Sequence, residues 1–293
     1  MAKQTKGLNF KAEKATEDYE DYNKASKVYD SCRQAVGIDV ILGVVTRVMK
    51  GRSIKEASIV DIGCGTGNYA VALSPFVGNV TGIEYNKGMR EQAIKKTEHL
   101  PNVKIMEGSA LSVPLEDKYC DVVICTQVLH HVSGSSPPEY AGPTKAISEV
   151  YRILKDEGAF VINTNTSEQL LESYFMYKII PNATKRLSEK YPPVSVLHDR
   201  LSKIGFRVQS VLAHCHESVM IMDTYLNVNG PLDPEWRDTT SIWAAATPEE
   251  LEESLKDWRK KIEDGTAQQF IDDAESVRKR VGETTTIVAY KGL

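Results

Sequence analysis

The sequence contains no long apolar run. Its most apolar early stretch, "GIDVILGVVTRVM" at 37–49, is broken by Asp39 and Arg47 and falls short of the ~20 residues a bilayer span needs. It also follows a polar stretch, so it lacks the layout of a secretory signal. Nor is there a block of one charge. Lys and Arg number 36 against 40 Asp and Glu, a formal net charge of −4. A nucleic-acid binder would show a basic face or domain. Here Lys3, Lys6, Lys11 and Lys14 are spread out and interrupted by Glu13, as on a solvated terminus. Neither nucleic acid nor a membrane is expected as a partner. Cysteine is scarce: Cys32, Cys64, Cys120, Cys125 and Cys215 are odd in number and lack metal-type spacing. That pattern gives neither a disulfide framework nor a metal site, and points to a reduced, cytoplasmic compartment. No internal repeat, low-complexity tract or Walker lysine is present, so a P-loop is excluded.

What is present is an ordinary globular composition, 41% hydrophobic and 26% charged, in a chain long enough for one large domain. Ile41, Val44, Val45 and Val48 recur at helical spacing. From "ASIVDIG" at 57–63 onward, short apolar strands alternate with helical segments: "NYAVALSPF", "NVTGIEY", "KGMREQAIKKTEHL", "VKIMEGSA", "CDVVICTQ", "PTKAISEVYRILKD" and "GAFVINTNT". Such alternation predicts an α/β fold, a doubly wound parallel sheet covered on both faces. After Thr166 the rhythm changes. Residues 166–195 read as helical up to Pro192–Pro193, "LHDRLSKIGFRVQSVLAHCHESVMI" as a helix, a stop at Gly205 and a strand, and 223–246 as a loop with Pro231, Pro234, Trp236 and Trp243. Thr247, Pro248 and Glu250 form a capping box. The expected organisation is an N-terminal helical lid at 1–50 and a domain at 51–293, with cap insertions at about 166–195 and 223–282.

The chemistry begins at "VDIGCGTGNYA". Glycines after a buried strand suit a nucleotide-like ligand, but the spacing is G-x-G-x-G, with Asn68 where a dinucleotide site wants its third glycine. Asp61 at the end of the first strand would repel a pyrophosphate and suit a ligand bearing positive charge. Glu84 at the end of the second strand offers two acceptor oxygens to a ribose diol. The ligand would then have a free ribose, no phosphate chain and a cationic part, and S-adenosylmethionine fits all three.

"IVDIGCGTGNYA", "GIEYNKGM", "MEGSALSVPLED", "CDVVICTQVLHHV" and "VYRILKDEGAFVI" together resemble the class I S-adenosylmethionine-dependent methyltransferases, over roughly residues 58–165. More narrowly they resemble the small-molecule group that includes the quinone and sterol enzymes. The resemblance implies a Rossmann-like, mostly parallel seven-stranded sheet whose last strand, "TTTIVAYK", is antiparallel. It also implies roles residue by residue. Asp61, Gly63, Gly65 and Gly67 would hold the methionine half of the cofactor. Glu84 would bind the ribose, Tyr85 and Met89 would meet the adenine, Ser109 and Ala110 would sit at its edge, and Gln127 would follow at the end of strand four. The family commonly has an aspartate where this chain has Ser109. "YDSCRQ" resembles the segment whose arginine, here Arg33, meets the cofactor carboxylate.

His130 and His131 follow strand four, where one of them would take a proton from the acceptor or orient it; alternatively, they pack on the cofactor or bond backbone. His214 and His216, two apart on a strand, would share a face and contact substrate, or stand as satisfied edge histidines. Two histidines without a carboxylate at ligand spacing are no metal site. Tyr19, Tyr22 and Tyr29 would contribute to the lid and Trp243 to the acceptor pocket, or serve plain packing. The expected activity is methyl transfer to O, N or S of a small-molecule metabolite. Two alternatives stand: a nucleic-acid or protein methyltransferase, disfavoured by acidity and by "TQVLHH" in place of an (Asp/Asn)-Pro-Pro-aromatic motif, and a non-catalytic protein that binds the cofactor. Acceptor identity and oligomeric state are not legible.

Overall fold

The structure, a computed structural model, describes residues 29–133 and 139–292. The expected contributions of Tyr19 and Tyr22 lie outside the described residues. The elements run α1 (Ile38–Met49), β1 (Ser58–Ile62), α2 (Asn68–Leu73), β2 (Asn79–Glu84), α3 (Lys87–Thr97), β3 (Val103–Glu107), β4 (Cys120–Thr126), α4 (Ala141–Ile153), β5 (Leu154–Thr164), α5 (Ser167–Glu172), α6 (Phe175–Ile179), α7 (Pro181–Ser188), α8 (Val194–Ile204), β6 (Phe206–Ala213), α9 (Met222–Tyr225), α10 (Pro234–Arg237), α11 (Pro248–Glu263), α12 (Ala267–Val281) and β7 (Thr285–Lys291). Among the described residues no helix is long and apolar enough to cross a membrane.

The strands form one seven-stranded sheet in the order β3-β2-β1-β4-β5-β7-β6. The pairs from β3 to β5 are parallel, and β7 runs antiparallel to both β5 and β6. The strand order reverses between β1 and β4, and that reversal opens a crevice at the carboxyl ends of the strands, where ligands of doubly wound sheets bind. β4 shows why both faces are covered. Val122 and Ile124 belong to the core beneath α1 and α2, while Val123 and Cys125 belong to the core beneath α4 and α8. Successive side chains of a strand point to opposite faces, so a continuous apolar run is what a sheet buried on both sides requires.

The helical periodicity of α1 buries Ile41, Val44, Val45 and Met49 against the sheet. This part of the expected lid therefore belongs to the sheet's covering layer. The capping box at Thr247 and Glu250 is formed, with Pro248 at the first position of α11. Two expected boundaries move. α8 starts at Val194, directly after the double proline, and β6 stops at Ala213. His214 and His216 are consequently off the strand and share no face: His214 turns inward and is buried, and His216 is exposed.

A third apolar cluster lies off the sheet and consists of the helices after β5 and those after β6. Trp258 sits at its centre, 1% exposed. Its ring lies 5.9 Å from Phe175 and 5.6 Å from Phe270, and its Nε1 donates to the Val228 carbonyl at 2.9 Å. Trp258→Ala is expected to cost about 3–5 kcal/mol, the usual result of emptying a buried aromatic site. Urea unfolding should show a lower midpoint. A wild-type midpoint would mean that the cap unfolds before, and independently of, the sheet.

Candidate active site

β1 ends at Ile62, and the chain turns through 63–67 into α2. Gly63, Gly65 and Gly67 have φ of +70°, +55° and +85°, a region that side chains rarely tolerate. At Gly63 a Cβ would also lie 2.4 Å from Val128 Cγ2. The turn directs backbone donors at β2. Gly63 and Cys64 N–H donate to the Ile83 carbonyl at 2.8 and 3.1 Å. Gly65 N–H donates to Glu84 Oε2 at 2.8 Å, and Asn86 N–H to Oε1 at 2.7 Å. Glu84 is thus fixed at the strand end by one amide on each oxygen, and it faces the crevice.

Asp61 is fully buried, and neither carboxylate oxygen has a hydrogen-bond partner. Burial, with the charge of Glu84 adding to it, pushes its pKa up to about 8. A buried acid in that state lacks a cationic partner. Arg33 carries the opposite deficit, because its buried Nε has no hydrogen-bond acceptor. Arg33 reaches the crevice because its segment pairs with a loop beyond β6: Gln34 N–H donates to the Val219 carbonyl, and Ile221 N–H to the Cys32 carbonyl, both at 2.9 Å. An orphaned acid and an orphaned guanidinium N–H at one crevice match the ammonium and carboxylate of an amino-acid moiety. With the ribose acceptor at Glu84, the residues present fit S-adenosylmethionine.

Arg33, Gly63, Gly65 and Glu84 border a cavity of about 170 Å³, with Asp61 behind its wall. On its other side, Gln127 at the end of β4 takes φ +57°. It is held there by Asn163, which accepts from Gln127 N–H at 2.8 Å and from Nε2 at 2.9 Å. A non-glycine residue in this region is strained and persists only when its surroundings over-determine it. His130 follows in a short helical turn. Its Nε2 lies 3.1 Å from Tyr191 Oη, and the two rings stack at 4.0 Å. Burial, then the neighbouring His131, hold the His130 pKa well below its ordinary value, so it is neutral at neutral pH.

The cavity is lined by Arg33, Gly63, Gly65, Glu84, Met89, Gln127, His130 and His131. Asp61 and Gly67 stand behind that surface, and Gly67 caps α2. Tyr85 is 42% exposed; Ser109 bridges to Ser112; Ala110 is packed in the sheet's core. None of these three lines the cavity. Trp243 is buried in the cap cluster, 6.0 Å from Trp236. His214 bonds Thr286 Oγ1 at 2.7 Å and Glu217 Oε2 at 3.2 Å. The structure thus sets Trp243, His214 and His216 apart from the cavity they were expected to meet. Five tyrosines line it instead: Tyr29, expected in the lid, with Tyr69, Tyr174, Tyr177 and Tyr191. The aromatic density of 166–195 was a signal for three of them. Among the described residues no group of His, Cys, Asp and Glu forms a metal site.

Comparison with known proteins agrees with this geometry. Residues 60–162 match the methyltransferase domain family. Demethylmenaquinone methyltransferase of Staphylococcus aureus is 32% identical over 154 residues, 51% of this chain and 60% of that protein; the chain thus spans about 60% of the length of the curated relatives it matches. A structure from Anabaena variabilis, described as a methyltransferase from an antibiotic biosynthesis pathway, superposes with a TM-score of 0.62 at 22% identity, covering 85% of this chain and 97% of that one. Phosphoethanolamine N-methyltransferase 2 of Haemonchus contortus, solved with phosphomonomethylethanolamine and S-adenosylhomocysteine, gives 0.52 at 17% identity, covering 89% and 54%. Residues 60–162 thus carry a methyltransferase domain, within a seven-stranded, mostly parallel sheet whose fold is shared with these solved methyltransferases.

Proposed function

We propose that the chain transfers a methyl group from S-adenosylmethionine to O, N or S of a small-molecule acceptor. The observation that carries this reading is the single cavity in which the glycine loop and Glu84 face the histidines and tyrosines at the end of β4 and in the cap. The cofactor supplies an activated methyl group on a sulfonium. Asp61 would take its ammonium, Arg33 its carboxylate and Glu84 its ribose. What the protein adds is alignment, worth up to about 7–11 kcal/mol for well-oriented reactants, and exclusion of water by the tyrosine wall. His130 and His131 would receive the acceptor's proton, and the neutral imidazole of His130 has a lone pair for it. An enclosed cavity on an acidic chain suits a metabolite better than a nucleic acid.

The test is S-adenosylhomocysteine release across a panel of metabolites, beside calorimetric binding of the same product. Release with some acceptor is expected. Binding with no release from any acceptor would favour a non-catalytic cofactor-binding protein, and no binding would end the reading. Glu84→Ala should weaken product binding about 10–100-fold, as loss of a charged hydrogen-bond acceptor does. Replacing both His130 and His131 with Ala should lower kcat about 10²–10⁴-fold and leave product affinity near wild type.

Asp61 adds a pH-dependent expectation. Its folded pKa of about 8 lies above its ordinary 3.8, so the free protein is favoured while the group keeps its proton. That stability is fully present below about pH 4 and is lost as pH rises toward 8. Asp61→Asn should therefore raise the melting temperature of the free protein at pH 8, by about 2–4 °C per kcal/mol regained. The gain should shrink at pH 5, and the stabilisation by S-adenosylhomocysteine should disappear. A variant that melts below wild type at pH 8 would show that Asp61 is already paired in the free protein.

A further inference from the structure

A second buried carboxylate lies behind the same pocket. Glu283 sits between α12 and β7 and is 1% exposed. Its Oε1 accepts from Tyr174 Oη at 3.2 Å and from Val219 N–H at 3.1 Å. Its Oε2 has no hydrogen-bond donor, and Arg278 Nη1 stands 3.8 Å away, itself without an acceptor. Arg278 is engaged instead by Glu275, at 2.9 and 3.1 Å. A buried ionic group this incompletely paired is a weak source of stability. Its contacts, by contrast, reach three walls of the cavity. Tyr174 and Val219 both line it, and so does Asn165, whose Nδ2 donates to the Glu283 carbonyl at 2.6 Å.

Val219 is the important contact. Its carbonyl accepts from Gln34 N–H, and the next residues, Met220 and Ile221, pair with Arg33 and Cys32. Gln34 Nε2 also donates to the Ser218 carbonyl at 2.9 Å. The segment that delivers Arg33 to the crevice is therefore held by a strip whose own free N–H is fixed by Glu283.

We propose that Glu283 is a positioning residue of the cofactor site: through the 218–221 strip it holds Arg33 at the cavity. This inference rests on the assignment of Arg33 to the cofactor carboxylate. The test is calorimetry with S-adenosylhomocysteine on the full chain, comparing Glu283→Ala, Glu283→Gln, Arg33→Ala and the double variant. Glu283→Ala should weaken binding about tenfold, the loss of roughly one hydrogen bond to a charged group. Glu283→Gln, whose amide oxygen still accepts from Tyr174 and Val219, should stay near wild type. In the Arg33→Ala background, Glu283→Ala should cause no further loss, since residues acting through one contact are not additive. Should Glu283→Ala not fold, Glu283→Asp withdraws the same oxygen by one methylene and should weaken binding in its place. A Glu283→Ala protein with a lower melting temperature and wild-type affinity would overturn the proposal, as would additive losses in the double variant. If the wild type fails to bind S-adenosylhomocysteine, the cofactor assignment falls first and this inference with it.

Discussion

The geometry of the pocket depends on how one carboxylate is held. Glu84 is fixed by an amide on each oxygen, and one of those amides belongs to Gly65, a residue that can aim its N–H that way because it takes φ +55°. A side chain at Gly63 would push Val128 away and open the turn. Parallel pairing of β1 with β2 then sets where that carboxylate stands relative to Asp61, since Asp61 pairs with Gly82, two residues before it, and Ile62 with Ile83. Turn conformation and strand register therefore place the two acids together, before any ligand arrives.

That placement has a cost. Two carboxyl groups near one another in a buried crevice disfavour each other's ionisation. The free protein meets this by satisfying Glu84 with backbone and leaving Asp61 unpartnered, its pKa raised toward neutrality. A site that is destabilised when empty gains when a cation enters, which is a common relation between binding function and stability. The cap has no such conflict. Its aromatic cluster around Trp258 is apolar, and it holds the pocket's tyrosines in place from outside.

The sheet was legible in the sequence because its signals are local. Apolar runs such as "CDVVICT", glycine stops and the Thr247 capping box each act within a few residues. The placement of the glycine loop, Asp61 and Glu84 was legible for the same reason, since each lies at the end of a strand. Tyr191 was not: it meets His130 across 61 residues, and only the packing of the segment after α7 brings them together. His214 and His216 misled by assuming that β6 continued past Ala213. There the chain leaves the sheet edge instead, and His214 turns in to bond Thr286. Trp243 misled because composition reveals that a loop is aromatic but not which ring faces the cavity.

The distribution of charge around the cavity follows one scheme. The β1–β2 end holds the acids, Arg33 is the one permanent cation among the described lining residues, and the β4 end carries the neutral His130. His130 is kept neutral by burial and by His131 beside it. An imidazolium there would meet an incoming sulfonium as a like charge in a water-poor site, where repulsion is strong. A neutral imidazole bonded to Tyr191 avoids that repulsion and keeps a lone pair. Once the sulfonium charge is spent, the same position becomes a better place for a proton. Desolvation thus favours at the β4 end the charge state that an arriving cation requires, and at the β1 end it leaves an acid whose ionisation becomes favourable only when such a cation arrives.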